Sequence, residues 1–368
     1  MNYYIILFFT FLFCGYSLLS QDTLNIDNLN YEESFEDSIL RINKINNQIK
    51  NSQEAYNQGV DFFNQNDYEK AILSFDKAIL LDTAFFDAYF LRYKSYYFLE
   101  QYMAGVNDLT KMLYFGKKTD TIYYELARSF IMLNNLEFAK KNLKKSIKHN
   151  NKFYLSFYEL GVVYFIEKNY EESINSFTQC IDLNPDYSYA YNDLASAYKM
   201  IENYEEAVKY YKMAINLDPT LSFVYSNLGS VYRNMGDYDK ALASYKLSLE
   251  YDSKYYIVLN NIAALYYIMD QFEKSLSYCE QVINIKPDYD LAYLNKGTCL
   301  YSLTKYKEAI KNFNKAIEYN DKNAQAYMNR GAAKEMIMDV DGACKDWQRA
   351  LDLGIKDAKK YILYDCKY

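Results

Sequence analysis

Small side chains return every 34 residues along most of this chain, and that regularity restricts it to a stack of like units. With the frame opened at Ser52, nine windows start at residues 52, 86, 120, 154, 188, 222, 256, 290 and 324 without an insertion. The eighth position holds Gly59, Tyr93, Ala127, Gly161, Ala195, Gly229, Ala263, Gly297 and Gly331, so all but one are Gly or Ala. The twentieth holds Ala71, Gly105, Ala139, Ser173, Ala207, Ala241, Ser275, Ala309 and Ala343, all small. Interiors are close-packed, so helices approach closely only where side chains are small. These positions are therefore expected to join the two helices of each hairpin. Bulky residues lie between them: position 24 carries Phe75, Leu109, Leu143, Phe177, Tyr211, Tyr245, Cys279, Phe313 and Trp347. The three prolines, Pro185, Pro219 and Pro287, all fall at position 32, where a missing N–H and a fixed φ end the second helix harmlessly.

The clearest copies are Tyr225-x2-Leu228-Gly229-x2-Tyr232 with Ala241-x3-Tyr245, and Tyr191-x2-Leu194-Ala195-x2-Tyr198 with Ala207-x3-Tyr211. They resemble the tetratricopeptide repeat, and the resemblance covers residues 52 to 355. It implies an all-α, right-handed superhelical solenoid of about nine helix-turn-helix repeats: 52–85, 86–119, 120–153, 154–187, 188–221, 222–255, 256–289, 290–323 and 324–354. Windows 2 and 3 depart furthest, with Tyr93 at position 8 and Met112 at position 27. After Leu353-Gly354, residues 355–368 place Ile355, Ala358, Ile362 and Leu363 on one side and Lys356, Asp357, Lys359 and Lys360 elsewhere. That pattern predicts a capping helix with a polar outer face, as the end of a stack requires. The run Gly342-Ala343-Cys344-x2-Trp347-x2-Ala350-x3-Gly354 is similar to the terminal repeat of exported bacterial members of the family, especially from the Bacteroidetes.

Residues 1–20 carry an apolar run from Ile5 to Phe13 and read as a secretory signal peptide cut after Ser20. An alternative places a lipid on Cys14. Either way the chain is expected to be exported to a periplasm or cell surface, touching a membrane only through this segment if it is uncleaved or lipidated. Residues 21–51 leave two readings open. Their asparagines suit a linker. Phe35, Ile39, Ile42, Ile45 and Ile49 recur at helical spacing and suit an amphipathic helix that caps the first repeat or folds into the groove.

Composition narrows function. Aromatic content of 18% with 44 Tyr fits a folded chain, and a formal charge of −7 argues against binding a phosphate backbone, so no nucleic-acid partner is expected. The sequence holds no CxxC pair, HExxH helix, GxSxG elbow or glycine-rich phosphate loop. No catalytic residue, metal ligand or cofactor is assigned. The one histidine, His149, is expected to complement the end of a second helix. Cys344 lies near the start of one helix and Cys366 at the end of the next, so antiparallel packing about Gly354 brings them level. A disulfide between them is expected in an oxidising compartment. Cys180 is read as a packing residue at position 27, and Cys279 and Cys299 as buried, with a second bridge left open as the alternative.

The resemblance also implies a concave groove lined by the first helix of each repeat, and with it a non-catalytic scaffold for a protein or extended peptide. The runner-up is an accessory subunit that positions an enzyme in an envelope assembly, secretion or glycan-processing complex. Position 6 reads Asp193, Asn227, Asn261, Asn295 and Asn329 over the last five windows. A row of amides that both donate and accept can pair with an extended backbone. It is similar to the asparagine ladder in the repeats of O-linked N-acetylglucosamine transferases. The two-carboxylate clamp of family co-chaperones needs Lys at positions 2 and 5, where none stands. The groove is expected to be apolar over windows 2–4, through Phe90, Phe98, Tyr124 and Phe165, and polar with Lys199 and Arg233 over windows 5 and 6.

Overall fold

The computed structural model describes residues 35–366. The signal peptide and Cys14 read from residues 1–20, and the stretch 21–34, lie outside the described residues. Among the described residues there are nineteen helices and no strand, in two compact units that divide between Leu99 and Glu100. The division falls inside the second repeat, the window whose eighth position is the large Tyr93.

The first unit holds α1 (Phe35–Asn64), α2 (Tyr68–Leu81) and α3 (Phe86–Phe98). Residues 35–51 are neither a frayed linker nor a separate cap. They extend the first helix of repeat 1 as one 30-residue rod, because no Pro and no Gly interrupts the run before Gly59. The isoleucine stripe does not fold back: Ile39, Ile42, Ile45 and Ile49 are 40%, 48%, 46% and 59% exposed.

The second unit runs α4 (Tyr102–Tyr114), α5 (Asp120–Met132), α6 (Leu136–His149), α7 (Tyr154–Ile166), α8 (Tyr170–Leu183), α9 (Ser188–Met200), α10 (Tyr204–Leu217), α11 (Ser222–Asn234), α12 (Tyr238–Tyr251), α13 (Tyr256–Ile268), α14 (Phe272–Ile285), α15 (Asp290–Ser302), α16 (Tyr306–Tyr319), α17 (Ala324–Glu335), α18 (Val340–Asp352) and α19 (Ala358–Asp365). In this unit first helices start at position 1 and end at position 13, or 12 in α17, and second helices start at position 17. The arrangement is a solenoid of helix hairpins with a short C-terminal helix.

Where the eighth residue is glycine, small faces large within the hairpin. A Cβ added to Gly229 would stand 2.7 Å from the Tyr245 ring, and at Gly161 and Gly297 the rings of Phe177 and Phe313 fill the same space. Position 24 of the second helix thus plugs the gap left at position 8 of the first. Ala139, Ala207, Ala241 and Ala309 at position 20 are fully buried, as are Tyr211 and Tyr245. Tyr191, Leu228, Val231, Val258, Ile262 and Leu265 carry one core across repeats 5 to 7.

The turn inside each hairpin uses a left-handed residue at position 15. Asn66, Glu100, Asn134, Lys168, Glu202, Asp270, Thr304 and Met338 all have φ between 55° and 65°, and Gly236 takes the place in repeat 6 with φ 81°. That conformation lets the next N–H reach back to the first helix, as Asn135 N does to the Phe130 carbonyl at 2.8 Å. Position 16 then caps the second helix: Asp67, Asn135, Asn203, Asp237 and Asp339 each accept the backbone N–H three residues on. The prolines stand just past the second-helix ends at Asn184, Asp218 and Lys286.

Sγ of Cys344 on α18 and Sγ of Cys366 after α19 are bonded at 1.99 Å, 22 residues apart in sequence. Cys180, Cys279 and Cys299 are buried free thiols, and burial pushes Cys180 and Cys279 up to about 12. His149 ends α6 with its ring stacked on Tyr123, centroids 5.2 Å apart.

Candidate binding groove

The first helices of the second unit present positions 6, 9 and 12 along one face. Between consecutive first helices this face opens into pockets. One, of about 220 Å³, is lined by Val162, Phe165, Phe177, Asp193 and Ser196. A second, of about 180 Å³, lies among Tyr267, Thr298, Tyr301, Phe313, Asn329 and Ala332. Both use the same window positions, so each is a consequence of the repeat rather than a local accident.

The position-6 row behaves differently from the expected open ladder. Asn227 donates from Nδ2 to Oδ1 of Asn192 at 3.0 Å, and Asn295 donates likewise to Asn260 at 2.9 Å. Tyr158 Oη donates to Oδ2 of Asp193 at 2.7 Å. All three bonds span 35 residues, from position 5 of one repeat to position 6 of the next. Asn192 and Asn260 are buried, so this pairing seals a seam between repeats. Leu294 at position 5 offers no acceptor, and Asn329 turns to Oγ1 of Thr298 at 3.1 Å while accepting from Gln325 at 2.7 Å. Asn261 follows Ser226 and makes no side-chain hydrogen bond. The ladder therefore has three amides with one N–H spent on a neighbour, and one with its full capacity. Sequence reasoning missed the bond because positions 5 and 6 are adjacent on one helix. The signal was present in the matching polar types at a spacing of 35.

Toward repeat 3 the row turns acidic: Glu125, Glu159 and Asp193. Arg128 lies 3.3 Å from Glu125 and 3.7 Å from Glu159. Burial raises the Glu159 carboxyl above the ordinary range, against the pull of Arg128. Burial also raises Asp193, against the bonds it accepts from Tyr158 and Asn192.

The apolar residues expected to line windows 2–4 separate. Phe98 and Phe90 belong to the first unit. Phe98 is 54% exposed and stacked on Tyr68 at 4.8 Å. Phe90 is half-buried beside Tyr93. In the second unit Phe165 is half-buried and lines a pocket. Tyr124 is corrected: it is buried, edge-on to Phe153 at 5.1 Å, in a core with Leu143, Leu160 and Val163. Position 5 faces the neighbouring repeat, so a ring there packs inward.

Lys199 and Arg233 hold position 12 of repeats 5 and 6, both half-buried. Burial pushes the Lys199 ammonium below its usual value, and Arg233 pushes it further. Beside them Ser196 shares a hydrogen bond with Tyr211 Oη at 2.8 Å, and Ser230 one with Tyr245 Oη at 3.2 Å. Among the described residues no group of three or more His, Cys, Asp or Glu could hold a metal ion. No helix among them is long and apolar enough to cross a membrane.

Tetratricopeptide repeat models match residues 154–220 and 254–322, 222–255, and 294–358, together more than half of the chain. A comparison with curated proteins gave no match. Among solved structures, a tetratricopeptide repeat protein from Parabacteroides merdae ATCC 43184 is 18% identical, with 67% of this chain and 99% of that one covered at a TM-score of 0.58. A chain of the APC/C hetero-tetramer Cut9-Hcn1 is 13% identical, with 86% and 76% covered at 0.55. At such identities the likeness is one of fold.

Proposed function

Because this chain belongs to the tetratricopeptide repeat proteins, we propose that it is a non-catalytic interaction scaffold that holds an extended segment of a partner protein along the first-helix face of repeats 4 to 9. The observation that carries this reading is the unspent hydrogen-bonding capacity of the position-6 row. Asn261 keeps its whole amide, and Asn227 and Asn295 each keep a carbonyl and one N–H after sealing the seam. These amides recur once per repeat between two pockets with largely apolar walls, one at Phe165 and Asp193 and one at Tyr301 and Asn329, which suits a backbone read by amides and side chains read by the pockets. The Cys344–Cys366 disulfide supports an exported location for this activity, since such bonds persist in oxidising compartments.

The test is a photo-reactive amino acid placed at Asn261, on the proposed face, and separately at Lys246, on an exposed outer helix. In the native envelope a discrete adduct is expected from position 261 and none from 246. Equal adducts from both positions, or none from 261, would remove the groove as the working surface.

A further inference from the structure

Among the described residues of the second unit there are eight partly buried cations, and six of them have a carboxylate within 4 Å. Arg128 has Glu125, Lys140 has Glu167, Lys286 has Asp288, Lys296 has Glu280, and Asp346 takes both Arg330 and Lys334. Lys199 and Arg233 are the two without one. They occupy the same position in adjacent repeats, close enough for the charge of one to act on the other. Taking charge out of water is costly unless a counter-charge meets it.

The neighbourhood changes in step with them. In repeat 4, positions 9, 12 and 24 are Val162, Phe165 and Phe177; in repeats 5 and 6 they are Ser196, Lys199 and Tyr211, then Ser230, Arg233 and Tyr245. The hydroxyls are occupied. Ser196 reaches the Asn192 carbonyl at 3.0 Å and Ser230 the Ser226 carbonyl at 3.1 Å, with the tyrosine hydroxyls closing on the serines. None of these oxygens carries the negative charge that would neutralise the pair. A cation in the last turn of a helix also eases the dipole. That role fits an exposed side chain, and Lys334, in the last turn of α17, still takes Asp346 at 2.8 Å.

We propose that Lys199 and Arg233 form a subsite for one carboxylate, an Asp or Glu side chain of the protein segment lying in the groove. The Lys199 ammonium and the Arg233 guanidinium supply donors from two consecutive repeats, and the carboxylate supplies the acceptor and the charge that the chain withholds. The subsite gives the groove a register: an acid is fixed over repeats 5 and 6, and the rest of the segment runs along the asparagines of repeats 6 to 9. It is separate from positions 2 and 5, where the family clamp would stand. The inference rests on the groove reading above.

Twelve-residue random peptides displayed on phage, panned against the full chain and against Lys199→Met/Arg233→Met, test both. Wild type is expected to enrich peptides with an Asp or Glu at a fixed offset. The best such peptide should lose at least tenfold in affinity on changing that acid to its amide. It should lose as much on the double variant, with no further loss when both changes are combined. Lys199→Arg should retain binding. Lys199→Met should melt no lower than wild type, because it removes a charge that burial disfavours. Enrichment of the same acid-free peptides by both proteins would overturn the subsite and leave the groove reading standing. No enrichment by wild type would sink both. Tighter binding of the same peptide with phosphoserine in place of the acid would overturn the carboxylate in favour of a phosphate.

Discussion

Asn227 donates a side-chain N–H to Oδ1 of Asn192, one repeat earlier, at 3.0 Å. The contact makes one residue serve two ends, since its carbonyl and second N–H remain for a ligand. A partly buried amide pair of this kind contributes about 0.5–1.5 kcal/mol. In urea unfolding, Asn192→Ala, Asn227→Ala and the double variant should therefore show a coupling of about 1 kcal/mol. Asn261→Ala should cost stability less than about 0.5 kcal/mol, since no bond is lost, yet weaken any peptide that binds the groove. Zero coupling in the cycle would mean that the seam adds nothing to stability.

Thr304 holds a φ of 60° at the hairpin turn of repeat 8, where repeat 6 has Gly236. A β-branched residue is poorly suited to the left-handed region, while glycine enters it freely. Against the extra freedom that glycine brings to the unfolded chain, Thr304→Gly should still stabilise by about 0.5–1 kcal/mol. Gly236→Ala should destabilise by a similar amount. If Thr304→Gly lowers the melting temperature, the turn is not strained by its side chain.

Asp193 gives the groove a pH dependence with a definite sign. Burial raises its carboxyl above the ordinary value, so the folded chain favours the protonated form. The stability tied to that proton is present in full below the unfolded value, about 3.9, and is lost as pH rises through the raised folded value. Exposed Asp67, Asp218 and Asp237 are held low by hydrogen bonds and act in the opposite sense, so the total curve mixes both. The difference between wild type and Asp193→Asn isolates the site. The variant should gain on wild type as pH is raised from 4 toward 8 in steps of about one unit. A difference that stays flat would show that burial does not shift this carboxyl.

How much of this was legible in the chain depends on whether a residue's role is set within one hairpin or between two. The match of Gly229 to Tyr245 lies within a hairpin, and a 34-residue count of small and large residues is enough to find it. The capping helix followed from the stop at Gly354 and the apolar spacing after it. The bond from Asn295 to Asn260 crosses a repeat boundary, and nothing in a single window says which of two adjacent polar residues turns toward the neighbour. Tyr124 was misplaced for the same reason: position 5 lies on the first helix but packs into the next repeat. The turn near position 15 is marked by Gly236-Asp237, but the positive φ there in other repeats is hidden, since Glu202, Lys168 and Met338 carry no glycine signal. The free extension of α1 was obscured by asparagines whose low helix propensity the long rod overrides.

The bond between Cys344 and Cys366 makes the C-terminal cap the part of the chain most sensitive to reductant. The cap is small: Ala358, Ile362 and the disulfide hold it to Ala343, Trp347 and Ala350 of α18. Tyr361 of α19 lies 5.2 Å from Trp347 between ring centroids, and Trp347 is the one tryptophan in the sequence, fully buried. Indole fluorescence therefore reports this end alone. In denaturant without reductant, alkylation of the chain without residues 1–20 should reach Cys180, Cys279 and Cys299 and spare Cys344 and Cys366, and the intact mass should be about 2 Da below that of the reduced chain. With reductant, the loop of 22 residues is released, at a cost that chain entropy puts at up to about 3 kcal/mol. The transition reported by Trp347 should then shift to lower urea, while far-ultraviolet circular dichroism, dominated by the other repeats, moves far less. Alkylation of both cysteines in native, unreduced protein would show that the bond is not made. Equal shifts in the two signals would show instead that the cap and the repeats unfold as one body.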